Sequence, residues 1–272
     1  MRSLFICALV LGTAGCSKGV LDLGLGAETD ARFTSDVYTW ECASEDAEWM
    51  GTFGFNLSLT YTPDNLATRE LPPLNACDSS LSMFSMDTLE GGTDIPDVDS
   101  PKWSTQGDSG RMDREVEGLY YDDVFRNVFS CDRAEAVIAG GVLLEQAGRL
   151  SGVRTPAAGE VISVSSDSEA VGGLSFGESI TLNWEADGWD ESFIQIRRTR
   201  SEQVVETLTC NTTGLSEFEI DSSIWGELNE AVNADTNYLY VGFRNTGNER
   251  SPDGQKVDIE TRALHVVGIT DI

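Results

Sequence analysis

Only one histidine, His265, and three lysines, Lys18, Lys102 and Lys256, occur in the 272 residues of this chain. A histidine-rich metal centre is thereby excluded, because zinc needs three or four ligands. Cations are scarce in general: 18 Lys+Arg stand against 46 Asp+Glu, a formal charge of -28. That balance excludes a nucleic-acid partner, since proteins grip phosphate backbones by neutralising them with Lys and Arg. No C-x-x-C pair occurs among the six cysteines, which removes thioredoxin-like redox chemistry and zinc-knuckle spacing. Long apolar runs are missing too: the unbroken run Leu4 to Leu11 has eight residues, and a transmembrane helix needs about 20. What remains is a chain with 40% hydrophobic residues, enough to bury a core in one large or two ordinary domains. The acid is spread evenly, with 25 Asp+Glu before Thr155 and 21 after it. Such spreading marks a property of the whole surface, one that salt would screen, and not an acidic tail.

The amino terminus reads as an export signal. Arg2 supplies the positive start, the apolar run follows, and Gly12-Thr13-Ala14-Gly15 are small. The next residue is Cys16, and the segment resembles the lipobox of bacterial lipoproteins, with Thr13 where that family usually has Leu. The resemblance implies cleavage after residue 15, a diacylglyceryl group on the Cys16 thiol, and a membrane partner reached through that lipid. It also implies residence in the cell envelope, at the outer membrane, because Ser17 and not Asp follows the cysteine. The alternative is an ordinary secretory signal, which leaves Cys16 as a bystander thiol. Residues 16–40, with Gly19, Gly24 and Gly26, read as lipid anchor and tether.

With Cys7 in the signal and Cys16 as the anchor, Cys42, Cys77, Cys131 and Cys210 remain. An even number in an exported chain favours disulfides, with three possible connectivities. Cys77 with Cys131 is the expected pair, both within the first domain. Cys42 with Cys210 would then tie the two domains, free buried thiols being the alternative for those two.

The expected fold class is mainly β with a few short helices: a mixed α+β domain over 41–153, then an immunoglobulin/fibronectin-like β-sandwich over 154–272. In the first domain, Thr52 to Thr60 alternates Phe53, Phe55, Leu57 and Leu59 with Gly54, Asn56 and Ser58, as a half-buried strand does. Asp87 to Gly110 reads as a long surface loop. A helix is expected after Cys131, with Asp132 as cap, Glu135 completing a capping box and an end near Gly148 or Gly152. Gly140-Gly141 should weaken it by about 1 kcal/mol each. Arg154 to Gly159 has the composition of a junction. Beyond it, strand-like runs lie at Val161 to Val164, Ser179 to Trp184, Phe193 to Arg198, Val204 to Thr209, Tyr238 to Phe243 and Val257 to Ile269, with a short helix from Ser222 to Val232 capped by Asp221. The run Leu174 to Trp184, the strand ending in Cys210, and the helix around Trp225 before a Tyr-rich strand resemble the carboxy-terminal β-domain of uncharacterised myxobacterial-type envelope lipoproteins. That resemblance covers about the last 110 residues and implies no activity.

Motifs with chemical meaning are few. Gly173-Leu174-Ser175-Phe176-Gly177 has the spacing of a nucleophile elbow, but strand and not helix is expected after it, and His265 falls in a terminal β run. Gly107-Asp108-Ser109-Gly110 resembles the nucleophile segment of chymotrypsin-like proteases, yet the sole histidine comes later in the chain, where those enzymes have it earlier. Asp87, Glu90, Asp94, Asp97 and Asp99 could offer calcium oxygen ligands; without EF-hand order they read as a solvated face. Asp187, Asp190 and Glu191 beside Trp189 read as an acidic turn between strands. Trp184 and Trp225 read as core, whereas Trp40, Trp49, Trp103 and Trp189 lie in polar or loop-like surroundings. No catalytic residue, metal site or cofactor is assigned. The functional expectation is a lipid-anchored envelope protein with a noncatalytic binding or structural role, its ligand an envelope protein or a glycan. The rival expectation is an envelope hydrolase or carbohydrate-active enzyme using paired carboxylates.

Overall fold

Alternation of apolar and polar side chains becomes strand pairing throughout the described part of the chain. In the computed structural model that part comprises residues 31–40, 53–60, 71–79, 99–106, 109–116, 119–125, 140–146, 150–167, 179–201, 203–228, 234, 236–252, 254 and 256–271. The fold is mainly β, as the patterning requires.

The carboxy-terminal sandwich is built from β10 (Glu160–Ser166), β11 (Ile180–Asp187), β12 (Glu191–Arg200), β13 (Gln203–Asn211), β14 (Glu217–Ile220), β15 (Thr236–Arg250) and β16 (Lys256–Asp271). One sheet runs β10-β11-β14 and the facing strands run β13-β12-β15-β16, the order of an immunoglobulin/fibronectin-type sandwich. Its core forms as strand geometry dictates: Ile180, Leu182 and Trp184 on β11, Ile194 and Ile196 on β12, and Leu239, Val241 and Phe243 on β15 are buried in one cluster. Helix α1 (Ser222–Trp225) closes one end. Asp221 Oδ1 accepts from the Ser223 and Ile224 amides at 2.8 and 3.2 Å, so the predicted cap is in place. The Ser223 hydroxyl and those two amides hold the Asp221 carboxyl below its usual pKa.

The amino-terminal strands do not form a separate body. They comprise β1 (Ala31–Trp40), β2 (Phe53–Thr60), β3 (Cys77–Asp78), β4 (Lys102–Ser104), β5 (Ser109–Arg111), β6 (Asp113–Val116), β7 (Leu119–Phe125), β8 (Leu143–Gln146) and β9 (Leu150–Arg154). A nine-stranded sheet of order β3-β13-β12-β15-β16-β1-β2-β7-β6 takes strands from both sides of the expected boundary at residue 154. The link is length: β15 and β16 have 15 and 16 residues, and β12 occupies only the Thr236 to Arg244 part of β15. β1 lies parallel to β16 from Ala31 opposite Val257 to Trp40 opposite Val266, covering an edge that would otherwise invite association. The tether reading of 16–40 is therefore corrected for Ala31–Trp40. Its charged positions hid the strand, because Arg32 faces Asp258 on a partner more than two hundred residues away in sequence.

The remaining sheet, β5-β4-β8-β9, supplies Trp103, Leu144 and Val153 to a second core with Phe33, Leu57, Leu59, Val257 and Ile259. Two further expectations are corrected here. Leu143 to Arg154 is an antiparallel hairpin and not the end of a helix; the earlier part of that predicted helix, from Cys131 to Ala139, lies outside the described residues. Gly141 explains the change. Its φ is +71°, a side chain there would meet the Thr155 carbonyl at 2.3 Å, and Thr155 Oγ1 accepts from the Val142 amide at 2.9 Å. The predicted loop 87–110 contains β4 and the start of β5. Trp103 on β4 is core, 3% exposed, with its Nε1 donating to Asp122 Oδ2 at 2.6 Å. Gly110 leaves room for that ring, which a Cβ would approach to 2.8 Å.

A disulfide joins Cys77 to Cys210, directly opposite each other on β3 and β13. The expected pairings of Cys77 with Cys131 and of Cys42 with Cys210 are thus corrected. Cys42 and Cys131 lie outside the described residues. Membership of one expected domain favoured the wrong partner, since a sheet edge sets two cysteines opposite each other at any separation.

Candidate functional site

Both smaller sheets cover the same face of the nine-stranded sheet. Thr261 Oγ1, between the two cores, donates to the Pro156 carbonyl of the crossing segment at 2.6 Å. On β16 the alternate positions Asp258, Glu260 and Arg262 belong to the reverse face. The register sets Asp258 opposite Arg32, Arg262 opposite Arg244, and Arg244 opposite Glu191, so charges of both signs become cross-strand neighbours. Arg244 Nε donates to Glu191 Oε2 at 2.5 Å, and the Arg244 and Arg262 guanidinium groups lie 3.8 and 3.7 Å from Glu260 Oε1. Arg32 stands 4.0 Å from Asp258. The side chains of Arg244, Glu260 and Arg262 are 6, 8 and 4% exposed. Burial draws the Arg32 guanidinium below its ordinary pKa, while Glu260 and Asp258 pull it back up.

A cleft of about 370 Å³ opens on this network, bounded by Arg32, Glu191, Arg244, Asp258 and Glu260, with Leu71 as an apolar wall. The Leu71 wall is held from β13: Asn211 Nδ2 donates to the Pro72 carbonyl at 2.8 Å, and the Asn211 and Ala76 backbones are joined at 3.0 Å beside the disulfide. Glu260 Oε1 is buried and accepts no hydrogen bond. Fixed donors and acceptors of both signs suit this arrangement to holding a polar group.

A second hollow, about 340 Å³, lies at the β11–β12 turn and is lined by Trp184, Trp189, Asp190 and Phe243. The Trp189 and Phe243 rings are 6.0 Å apart. The acidic trio expected here does not converge. Asp187 Oδ1 accepts from its own turn at Gly188, the Asp190 amide donates to Asn245, and Glu191 turns to Arg244. It is a turn between strands, as the sequence implied.

His265 sits opposite Val241 on β16, edge-on to Phe243 at 6.2 Å, in a packing role. Burial pushes its pKa down to about 4 from 6.5. The folded chain therefore keeps it neutral, while the unfolded chain takes up a proton once the pH falls below 6.5. At about 1.4 kcal/mol per pH unit, roughly 3 kcal/mol of stability should be lost between the unfolded and folded pKa values. Denaturant unfolding of wild type and His265→Leu at neutral pH and at the acid end of that window checks this. The wild type should lose about 3 kcal/mol more than the variant, and equal losses would refute it.

Ser175 and the rest of its pentapeptide lie outside the described residues, as do Gly107, Asp108, Trp49, Cys16, Asp87, Glu90, Asp94 and Asp97. Ser109 is exposed on β5 and Trp40 ends β1. Asp99 is exposed, with its carbonyl accepting from Gln146 Nε2 at 2.9 Å. Among the described residues no three His, Cys, Asp or Glu side chains group to hold a metal ion, and no helix is long and apolar enough to cross a membrane. Sequence reasoning missed the charged cleft. Its one local signal was Asp258-x-Glu260-x-Arg262, charges at period two in a run otherwise typical of a buried strand. No family model, no curated protein and no solved structure matches the chain.

Proposed function

We propose that the protein is an exported, lipid-anchored binding protein of the cell envelope, held at the outer membrane through Cys16 and presenting its folded body to an envelope ligand. The observation that carries this reading is the Cys77–Cys210 disulfide in a chain that opens on a lipobox-type segment. Disulfides persist in oxidising compartments and are rare in the cytosol. Attachment by two or three acyl chains is stable where one is marginal, each buried methylene adding about 0.8 kcal/mol. The acidic surface suits a body kept off anionic headgroups by its own charge. Metabolic labelling with a fatty-acid analogue tests the anchor: label is expected on the wild type and absent from Cys16→Ala. Two unlabelled chains would reject it.

A further inference from the structure

We infer that the hollow at the β11–β12 turn is a binding site for a small organic cation, an alkylated ammonium of the quaternary type. This names the ligand class of the proposed envelope binding role and rests on that reading for where the ligand is met. Charge selects the sign. From Thr155 to Ile196 and from Ser201 to Phe243 the sequence has no Lys, Arg or His, and these two stretches supply every residue that lines the hollow. Of its three carboxylates, Glu191 is turned to Arg244. Glu185 and Asp190 are exposed, and neither carboxylate has an ion pair or hydrogen bond among the described residues. An anion, or the anionic end of a zwitterion, is repelled by such a rim.

The wall selects the kind of cation. Trp189 is partly exposed and Leu215 is 37% exposed, and Trp184, 6% exposed, lines the hollow beside them. Aromatic rings attract cations, tryptophan most strongly, and the attraction grows where the cation has shed its water. A metal ion sheds water only to a set of oxygen ligands, and among the described residues no three acidic, Cys or His side chains group to supply one. A primary ammonium is likewise a strongly hydrated point charge. A quaternary ammonium carries its charge under a skin of methyl groups, so indole and leucine can replace its water while the two carboxylates balance its charge. The wall is set before binding: the Trp184 amide donates to the Ser216 carbonyl and the Leu215 amide to the Thr212 carbonyl, both at 2.9 Å. Trp189 lies so close to Gly159 that a Cβ there would come within 2.6 Å of its ring. Little ordering therefore remains to be done on binding. The volume, about 340 Å³, lies at the small end of ligand sites.

The test is ligand-observed saturation-transfer NMR on the purified full chain in a non-ionic detergent, with salt at about 0.15 M to screen the general acidic field. Four probes differ by one feature each: choline, ethanolamine without the methyl groups, 3,3-dimethyl-1-butanol without the charge, and phosphocholine with the added anion of a lipid headgroup. Choline should give a saturable response below about 10 mM, and each of the other three should bind at least about fivefold more weakly. Trp189→Leu should weaken choline about fivefold. Asp190→Asn should weaken it about threefold with an unchanged melting temperature, because it is the Asp190 amide and not the carboxylate that bonds Asn245. Glu145→Gln, at an exposed position on β8 outside the hollow, should leave binding unchanged. If Trp189→Leu fails to fold, Asp190→Asn and the probe series carry the comparison. No saturable response to choline, any other probe binding as well as choline, or Asp190→Asn and Glu145→Gln acting alike would each overturn the inference. A chain that takes fatty-acid label yet ignores choline sinks the hollow alone; an unlabelled chain that binds choline sinks the anchor alone.

Discussion

Replacing Cys77 and Cys210 together with alanine is expected to lower the unfolding free energy by about 5 kcal/mol on the chain-entropy model of cross-linking. The magnitude comes from loop length: the bridge closes 133 residues, and the entropy withheld from the unfolded chain grows with the logarithm of that number. Native contacts add to the loss, because Cys210 is 1% exposed within the sandwich core and Cys77 packs against it. A denaturant midpoint under oxidising conditions, for wild type and double variant, gives the difference. Non-reducing peptide mapping gives the connectivity. A fragment linking Cys77 to Cys131, or a stability difference below about 1 kcal/mol, would contradict the arrangement. The same variant should loosen the Leu71 to Ser79 segment, which the β3–β13 pairing and the hydrogen bonds at Asn211 also hold to β13.

Arg244→Met is expected to cost about 3 to 5 kcal/mol, the usual consequence of removing one member of a buried ion-pair network. The two carboxylates it leaves behind differ in their access to water. Glu191 is 31% exposed and can be solvated, whereas Glu260 is 8% exposed and cannot. Removing Glu260 as well should therefore recover stability, and removing Glu191 should not. Urea unfolding of Arg244→Met alone and combined with Glu260→Met or Glu191→Met resolves the two, the coupling being read as a double-mutant cycle. Equal recovery with either partner would show that burial does not set the cost. A loss below about 1 kcal/mol for the single variant would show that the network contributes no more than a surface pair.

Local patterning suffices where a strand buries one face. Ile180, Leu182 and Trp184 are buried while Thr181 and Asn183 alternate away from the core, as one-sided burial requires. Asp221 caps its helix because a cap is a local event within three residues. The pattern misled at Leu143 to Arg154, where glycine geometry and a contact with Thr155 converted helix-like spacing into a hairpin. It misled again at Trp103, whose neighbours in sequence are polar but whose neighbours in space are Leu57, Leu144 and Val153. The candidate cleft was almost invisible. Its residues come from β1, β12, β15 and β16, and each alone looks like a solvated charge in an acidic chain.

What the amino-acid order determined by itself is therefore the predominance of strands, six of the seven strands of the carboxy-terminal sandwich, β14 being the exception, and the capped turn of helix. These depend on composition or on residues within a few positions of one another. Only the tertiary structure decided the cysteine pairing, the joining of both halves into one sheet through β15 and β16, and the meeting of Arg32, Glu191, Arg244 and Glu260. The physical reason is the same for all three. Strand pairing takes place between backbones, whose hydrogen bonds are alike at every position, so which distant strands become neighbours is settled by the packing of the whole sheet.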